Sequence, residues 1–383
     1  MTLKGWLRWG SLVAVALAFA GLYLRHPTAP TSGGFVPPQV AARAASSKPF
    51  YKTQLMPNNT AQSVHSATAA EISGGRLRAF WYGGSREGAS DVAIYTAVYS
   101  LRHWSPERVV VTREFAQRHL RRYIRKLGNP VVGRDSKGRL CLYFVSVSVG
   151  GWAGSAVNLM VSEDEGESWS PPRRLIASPF FNISTLVKGP PLQFTDGAIG
   201  LPVYHEFLGK FGELLRLDAA GHVVLKTRLS WGRSSLQPVI VPRSDKEAVG
   251  FMRYAGDPPN RILMVRTADG GAHWSLPAKT ALPNPNAAIA SLSLSGGPLL
   301  LVFNNAEENR EDLSLALSTD FGNTWRIAHR FEGESGSPQA PVLEYSYPWI
   351  MQDRAGDIHV LYTWGRSRIK HVRFNRAWLE GRR

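Results

Sequence analysis

Cysteine is almost missing from this chain. The 383 residues hold one, Cys141, inside the apolar run Leu140-Cys141-Leu142-Tyr143-Phe144. No intrachain disulfide can form. With no His or Lys beside it, the thiol reads as buried and inert rather than as a nucleophile. Acidic residues are also short, 29 against 45 Lys and Arg, which leaves a formal charge of +16. Such an excess favours anionic partners: acidic polysaccharide, a membrane surface or nucleic acid. Yet the chain has no aromatic-basic RNA-binding motif, no basic helix run and no cluster of zinc-type ligands, so nucleic acid is not expected as a partner. No metal-site spacing appears, and the Gly-x-Gly patterns lack a βαβ context, so no metal and no cofactor are expected. Part of the charge lies near the ends, at Lys4, Arg8, Arg25, Arg366, Arg368, Lys370 and Arg373 among others. The rest reads as solvated surface.

Two residue types are plentiful. Twelve Trp and 36 Gly are what an all-β repeat fold uses, an aromatic per strand and a glycine per turn. The amino terminus stands apart from this pattern. Lys4 and Arg8 precede an uncharged run from Gly10 to Leu24, and Arg25-His26-Pro27 follows. Two readings stay open for residues 1–26: a signal peptide with Ala18-Phe19-Ala20 as cleavage site, or an uncleaved transmembrane anchor, since Trp6–Leu24 comes close to the ~20 residues a bilayer needs. The anchor is preferred. Either exports the remainder, to the periplasmic side of the inner membrane or as a secreted protein. Residues 27–49, rich in Pro, Ala, Ser, Thr and Gly, read as a flexible linker; 50–378 as the folded domain; 379–383 as a basic tail.

Three segments align without gaps: Ser162-Glu-Asp164-Glu-Gly166-Glu-Ser-Trp169, Thr267-Ala-Asp269-Gly-Gly271-Ala-His-Trp274 and Ser318-Thr-Asp320-Phe-Gly322-Asn-Thr-Trp325. Each follows an alternating apolar stretch, the mark of a strand. The shared pattern S/T-x-D-x-G-x-x-W specifies a turn. The Asp carboxylate accepts from backbone N–H groups, the Gly takes a positive φ, and the Trp folds back as an apolar plug. The Trp positions act as a ruler, 51 residues from 274 to 325 and 105, about two such units, from 169 to 274. A unit without the motif falls near Phe211–Thr227, and Trp104 marks a degenerate first copy. Roughly 330 residues divided by about 52 predict an all-β propeller of six blades, with a count of seven left open.

This turn is the Asp-box, or BNR repeat, and from about residue 60 to 375 the chain resembles bacterial BNR-repeat proteins of the sialidase-like superfamily. The stretches that carry the resemblance include Ser63-Val-His65-Ser, Ala79-Phe-Trp-Tyr-Gly-Gly-Ser-Arg86-Glu-Gly-Ala-Ser-Asp91, Gly128-Asn129-Pro130, Gln237-Pro238, Leu282-Pro-Asn-Pro-Asn286, Glu344-Tyr345-Ser-Tyr347-Pro and Tyr362-Thr-Trp-Gly-Arg-Ser-Arg368. The resemblance implies a propeller whose Asp-box turns are structural and whose central funnel binds an acidic glycan. Sialidases carry an arginine triad for the sugar carboxylate, a Tyr nucleophile assisted by a Glu, and an Asp acid. Carried over one position at a time, the first arginine falls on His65 and the acid on Tyr82. The Glu falls on Gln237, the second and third arginines on Arg253 and Arg310, and the nucleophile on Tyr345 or Tyr347. Two arginines and a tyrosine survive; one arginine and both carboxylates do not. Arg86 and Asp91, in the Gly-rich loop, join Arg253 and Arg310 as candidate substrate ligands, against the reading of a loop brace. Lys188 and His205-Glu206 are weaker candidates.

Three functions are compatible with this set. A hydrolase uses Tyr345 or Tyr347 as nucleophile. A β-eliminating polysaccharide lyase uses His65 and Tyr82 as base and acid while Arg253 and Arg310 neutralise a uronate carboxylate. A non-catalytic propeller binds or helps assemble envelope polysaccharide. Two guanidinium forks suit a carboxylate in all three.

Overall fold

The computed structural model describes residues 3–25, 33–37, 48–178, 182–294, 296–333 and 343–382. It divides into two units, Met1–Ser32 and Gly33–Arg383. In the first, Leu3–Arg25 forms an α-helix of 23 residues whose described side chains, residues 9–21, are exposed. No helix among the described residues is long and apolar enough to cross a membrane.

The second unit is a six-bladed propeller. Six antiparallel sheets follow one another along the chain, each of four or five strands. Their inner strands start at Ser63, Lys126, Leu186, Ser235, Ala290 and Tyr345. These strands are mostly buried, Ser235–Pro242 throughout, because each sheet packs face to face against both neighbours. The ring closes through the amino-terminal strand Tyr51–Leu55, which pairs with Arg368–Phe374 of the sixth blade, Tyr51 opposite Phe374. The N-cap side chain of Asn375 ties the same seam. It accepts from Phe50 N at 3.2 Å and donates to Lys48 O at 2.8 Å.

The three Asp-box turns take the expected form. Gly166, Gly271 and Gly322 have φ of 89°, 88° and 92°, open to glycine and strained for other residues. Asp164, Asp269 and Asp320 accept from the backbone N–H four residues on, at 2.8, 3.0 and 2.9 Å. The Trp rings bridge backward to the preceding blade: Trp169 meets Phe80 edge-on at 5.6 Å and Trp325 meets Phe251 at 5.6 Å. Trp104 repeats the device at the closing seam, where its indole N–H donates to His371 of blade six at 3.2 Å. Between the second and fourth blades, which carry the motif, the third lacks it, as the spacing predicts. Cys141 is buried, and burial pushes its thiol pKa up to about 12.

Two domain boundaries differ from the sequence expectation. Residues 33–37, placed in the flexible linker, belong to the propeller. Phe35 is fully buried, stacks on Phe194 at 5.2 Å and donates its N–H to Asp245 O at 2.7 Å. The aromatic side chain and two adjacent glycines that fit against Asp196 and Asp245 outweigh the turn-rich composition around them. At the other end, the boundary at 378 falls inside a helix, Arg376–Glu380, which buries Leu379 against blades five and six.

Candidate functional site

Near the start of every inner strand lies one non-glycine residue with positive φ: Ser66, Asn129, Ser184, Gln237, Asn286 and Tyr347, with φ between 36° and 57°. In four blades the residue sits in a β-bulge, between His65 and Thr68, Gly128 and Val131, Leu236 and Val239, and Ser346 and Trp349. A bulge re-aims the side chain, and left-handed backbone at Gln or Tyr holds strain that the surrounding sheet must fix. The same end of each blade therefore presents a polar side chain to the central funnel.

These side chains join into a hydrogen-bonded belt. Asn129 of blade two donates to Tyr204 Oη of blade three at 3.3 Å. Gln237 of blade four donates through Nε2 to Tyr204 Oη at 3.3 Å and to Tyr347 Oη at 3.2 Å. Its Oε1 accepts from Arg253 Nη1 at 3.2 Å. Asn286 of blade five holds both blade-four and blade-five arginines, accepting from Arg253 Nε at 2.6 Å and, through its carbonyl, from Arg310 Nη2 at 2.7 Å. Arg310 donates to Glu344 of blade six at 3.0 Å. Arg366 donates to Glu344 at 2.9 Å and to Glu87 of blade one at 2.9 Å. The belt thus visits all six blades.

Inside the belt lie the aromatic candidates. His65 is buried, 4.2 Å between ring centroids from Tyr347 and 5.7 Å from Tyr82. Neither of its ring nitrogens has a hydrogen-bond partner among the described residues. Burial, then the positive charge of Arg366, holds its pKa down at about 3, so the imidazole is neutral. Burial pushes the Tyr82 phenol well above its ordinary range. Below Tyr347, Lys188 crosses from blade three to blade six, where its ammonium donates to Pro348 O at 2.9 Å. The lysine is 1% exposed, and burial lowers its pKa to about 7. Its Nζ stands 5.9 Å from the Tyr347 ring centroid.

Charge around the belt is unevenly matched. Burial raises the Glu344 carboxyl, but hydrogen bonding and charge from Arg366, with Arg310, outweigh that and hold it at about 2. The same pairing raises Arg366. Among the described residues Arg253 has no carboxylate within ion-pair distance; its partners are the amide oxygens of Gln237 and Asn286.

Of the residues expected from sequence, the structure brings together His65, Tyr82, Gln237, Arg253, Arg310 and Tyr347. Tyr345 lies elsewhere. Its ring packs with the core between blades five and six, because the bulge before Pro348 turns Tyr347, and not its neighbour, toward Gln237. Arg86 and Asp91 are exposed. Asp91 accepts from Ser85 N at 2.8 Å and Ser85 Oγ at 3.0 Å, which makes it a brace of the loop. Between them, Glu87 is the residue of that loop that reaches the belt. Sequence reasoning missed Asn129, Tyr204, Asn286, Glu344 and Arg366. A signal for the first class existed in the recurring inner-strand pairs Asn129-Pro130, Gln237-Pro238 and Tyr347-Pro348; Glu344 and Arg366 had none, since their roles come from contacts between blades.

A six-bladed propeller with Asp-box turns on one face and an arginine-bearing funnel on the other defines a sialidase-like β-propeller. The chain belongs to the BNR repeat-like domain family, whose model matches residues 75–360. Among solved structures it is similar to a protein of unknown function from Dyadobacter fermentans DSM 18053, with TM-score 0.68 and 14% identity over 85% of this chain and 99% of that one. It is similar to a sialidase from Streptococcus pneumoniae, with TM-score 0.65 and 12% identity over 84% and 70%. It is also similar to the intramolecular trans-sialidase from Ruminococcus gnavus, seen in complex with oseltamivir carboxylate, with TM-score 0.63 and 13% identity over 83% and 96%. At such identities these likenesses speak to the fold. No curated protein matches the chain significantly.

Proposed function

We propose that this protein is an exported glycan-active propeller that takes the carboxylate of an anionic sugar at Arg253 and Arg310, with Tyr347 facing the reacting carbon. One observation carries the reading: Arg253 is a half-buried guanidinium anchored, among the described residues, by neutral amide oxygens alone, near an arginine and a phenol, at the mouth of a funnel. A guanidinium held in place without a countercharge suits a ligand carboxylate, because its fork is pre-organised and the anion supplies the missing charge. Export rests on Lys4, Arg8 and the apolar segment that follows them, as leader or membrane anchor.

A second reading has its own support. Gln237 stands against Tyr347 and donates to its hydroxyl, so it cannot take the phenolic proton as a carboxylate would. That favours a glycan-binding propeller without turnover.

Both readings meet the same experiment. The exported domain is titrated calorimetrically with uronic- and nonulosonic-acid glycans, and the products are examined. Losing a charge-assisted contact should cost about 2–5 kcal/mol, so Arg253→Ala is expected to lose binding of any acidic glycan the parent holds. Unchanged affinity in that variant overturns the carboxylate assignment. New reducing ends mark hydrolysis, an unsaturated product absorbing in the ultraviolet marks a lyase, and neither marks a binder.

A further inference from the structure

The funnel lacks a carboxylate at both positions where the sialidase resemblance expects one, yet a carboxylate is present on another blade. Blade three ends its second strand, Ile199–His205, at the mouth. Tyr204 projects into the belt there. Side chains two apart in an extended segment share a face, so Glu206, the next residue past the strand, follows Tyr204 toward the funnel while His205 turns away to stack on Phe211 at 4.7 Å. The charge neighbours of Glu206 agree with that placement: they are Arg253, Lys210 and Lys126, and its own charge is felt at Tyr204.

Three carboxylates stand around this mouth, and two are committed. Glu344 is held by Arg310 and Arg366, and Glu87 by Arg366. The Glu206 backbone N–H donates to Ser184 Oγ at 2.7 Å, which fixes the main chain, while its carboxyl group pairs with no described residue. A half-buried carboxyl that feels the charge of Arg253 and pairs with no described residue is poised for a ligand. Burial raises its pKa, against the pull of Arg253, Lys210 and Lys126, which favours the protonated acid that a departing oxygen needs.

We propose that Glu206 is the acid of this site, delivering the proton to the glycosidic oxygen as it leaves. The inference rests on the glycan-cleaving reading above. Tyr347 Oη bonds to the anomeric carbon and releases its phenolic proton to solvent. The bond from that carbon to the leaving oxygen breaks, its electron pair stays on the oxygen, and the oxygen takes the proton of Glu206. Water then attacks the same carbon and gives a proton to the Glu206 carboxylate. Tyr347 departs as phenolate and regains its proton from solvent. Atoms and charge balance, and no further reactant is required. The carboxyl thus comes from the third blade, where the repeat motif is absent.

The test compares leaving groups. Parent and Glu206→Gln protein are assayed on the methyl glycoside and the 4-methylumbelliferyl glycoside of the same acidic sugar, taken first as a nonulosonic and then as a uronic acid. Proton donation is worth 10²–10⁴-fold for a poor leaving group and little for one that departs unaided. The variant should lose at least about 100-fold in kcat/KM, which reports the bond-breaking step, on the methyl glycoside, stay within about tenfold in kcat/KM on the aryl one, and lose the alkaline limb of the pH profile. Because the Glu206 side chain pairs with no described residue, the variant's melting temperature should match the parent's. Equal losses on both glycosides, or a retained alkaline limb, overturn the assignment. Parent that binds acidic glycan but cleaves neither glycoside overturns it while leaving the carboxylate site standing; parent that binds none overturns both.

Discussion

The two faces of the propeller use the same kinds of side chain to opposite ends. On the Asp-box face, Asp164, Asp269 and Asp320 each bind the backbone of their own turn, and hydrogen bonding holds Asp164 and Asp320 well below the usual carboxylate range. Three copies of one motif do the same thing in three blades. At the funnel mouth the backbone kink is copied but no one side chain is. The shared backbone kink is occupied by Ser66, Asn129, Ser184, Gln237, Asn286 and Tyr347 in turn, and the titratable groups there are displaced by burial: His65 and Lys188 downward, Glu206 upward. Where the repeat is kept, the Asp carboxylates are satisfied within the turn. Where it is broken, several polar groups are left for something else. Loss of symmetry on a symmetric scaffold is therefore a better guide to the site here than the motif that names the family.

That contrast can be broken by mutation. The largest stability effect should come from the plug side: Phe80→Ala, which removes the ring that Trp169 packs against, should cost about 3–5 kcal/mol in urea unfolding. Protein that remains folded should bind glycan as before. If binding fell with stability intact, the two faces would not be separable. A smaller effect is expected at Thr267, whose buried hydroxyl accepts from Gly271 N at 3.1 Å. Thr267→Val should cost about 1–2 kcal/mol and leave affinity unchanged. A stability-neutral variant would show that the Asp carboxylate carries the turn alone.

The smallest effect is a slope. His65 and His371 are held neutral by burial, His65 at about 3 and His371 well below its ordinary value. An unfolded histidine titrates near 6.5. Between those values the unfolded chain binds protons that the folded chain refuses, so stability is full above about pH 6.5 and falls as the pH drops toward 3. His65→Gln and His371→Gln should each flatten the acid side of the melting-temperature profile. Profiles parallel to the parent's would place the acid sensitivity elsewhere.

The scaffold was legible in the sequence because its determinants are local. The S/T-x-D-x-G-x-x-W turn fixes a hairpin by itself, and its spacing counts blades, even for the third blade that lacks it. Arg253, Arg310 and Gln237 were reachable through family spacing. The remainder of the belt was not, for a physical reason. Glu344 gains its role only from Arg310 and Arg366, and Lys188 meets Pro348 across 160 positions of chain. The docking of Phe35 was hidden the same way, since its partners Phe194 and Asp245 come from other blades.

The six left-handed kinks limit how this site can change. Any residue placed there must tolerate a backbone that β-branched side chains avoid, so Val, Ile and Thr are disfavoured whatever their chemistry. The permitted replacements are mostly polar or unbranched, and each arrives already aimed at the funnel axis. A library confined to Ser66, Asn129, Ser184, Gln237, Asn286 and Tyr347 would sample new ligand preferences with the blade cores unaltered. For a descendant of this chain, new specificity is within a few codons, and loss of the old one is closer still.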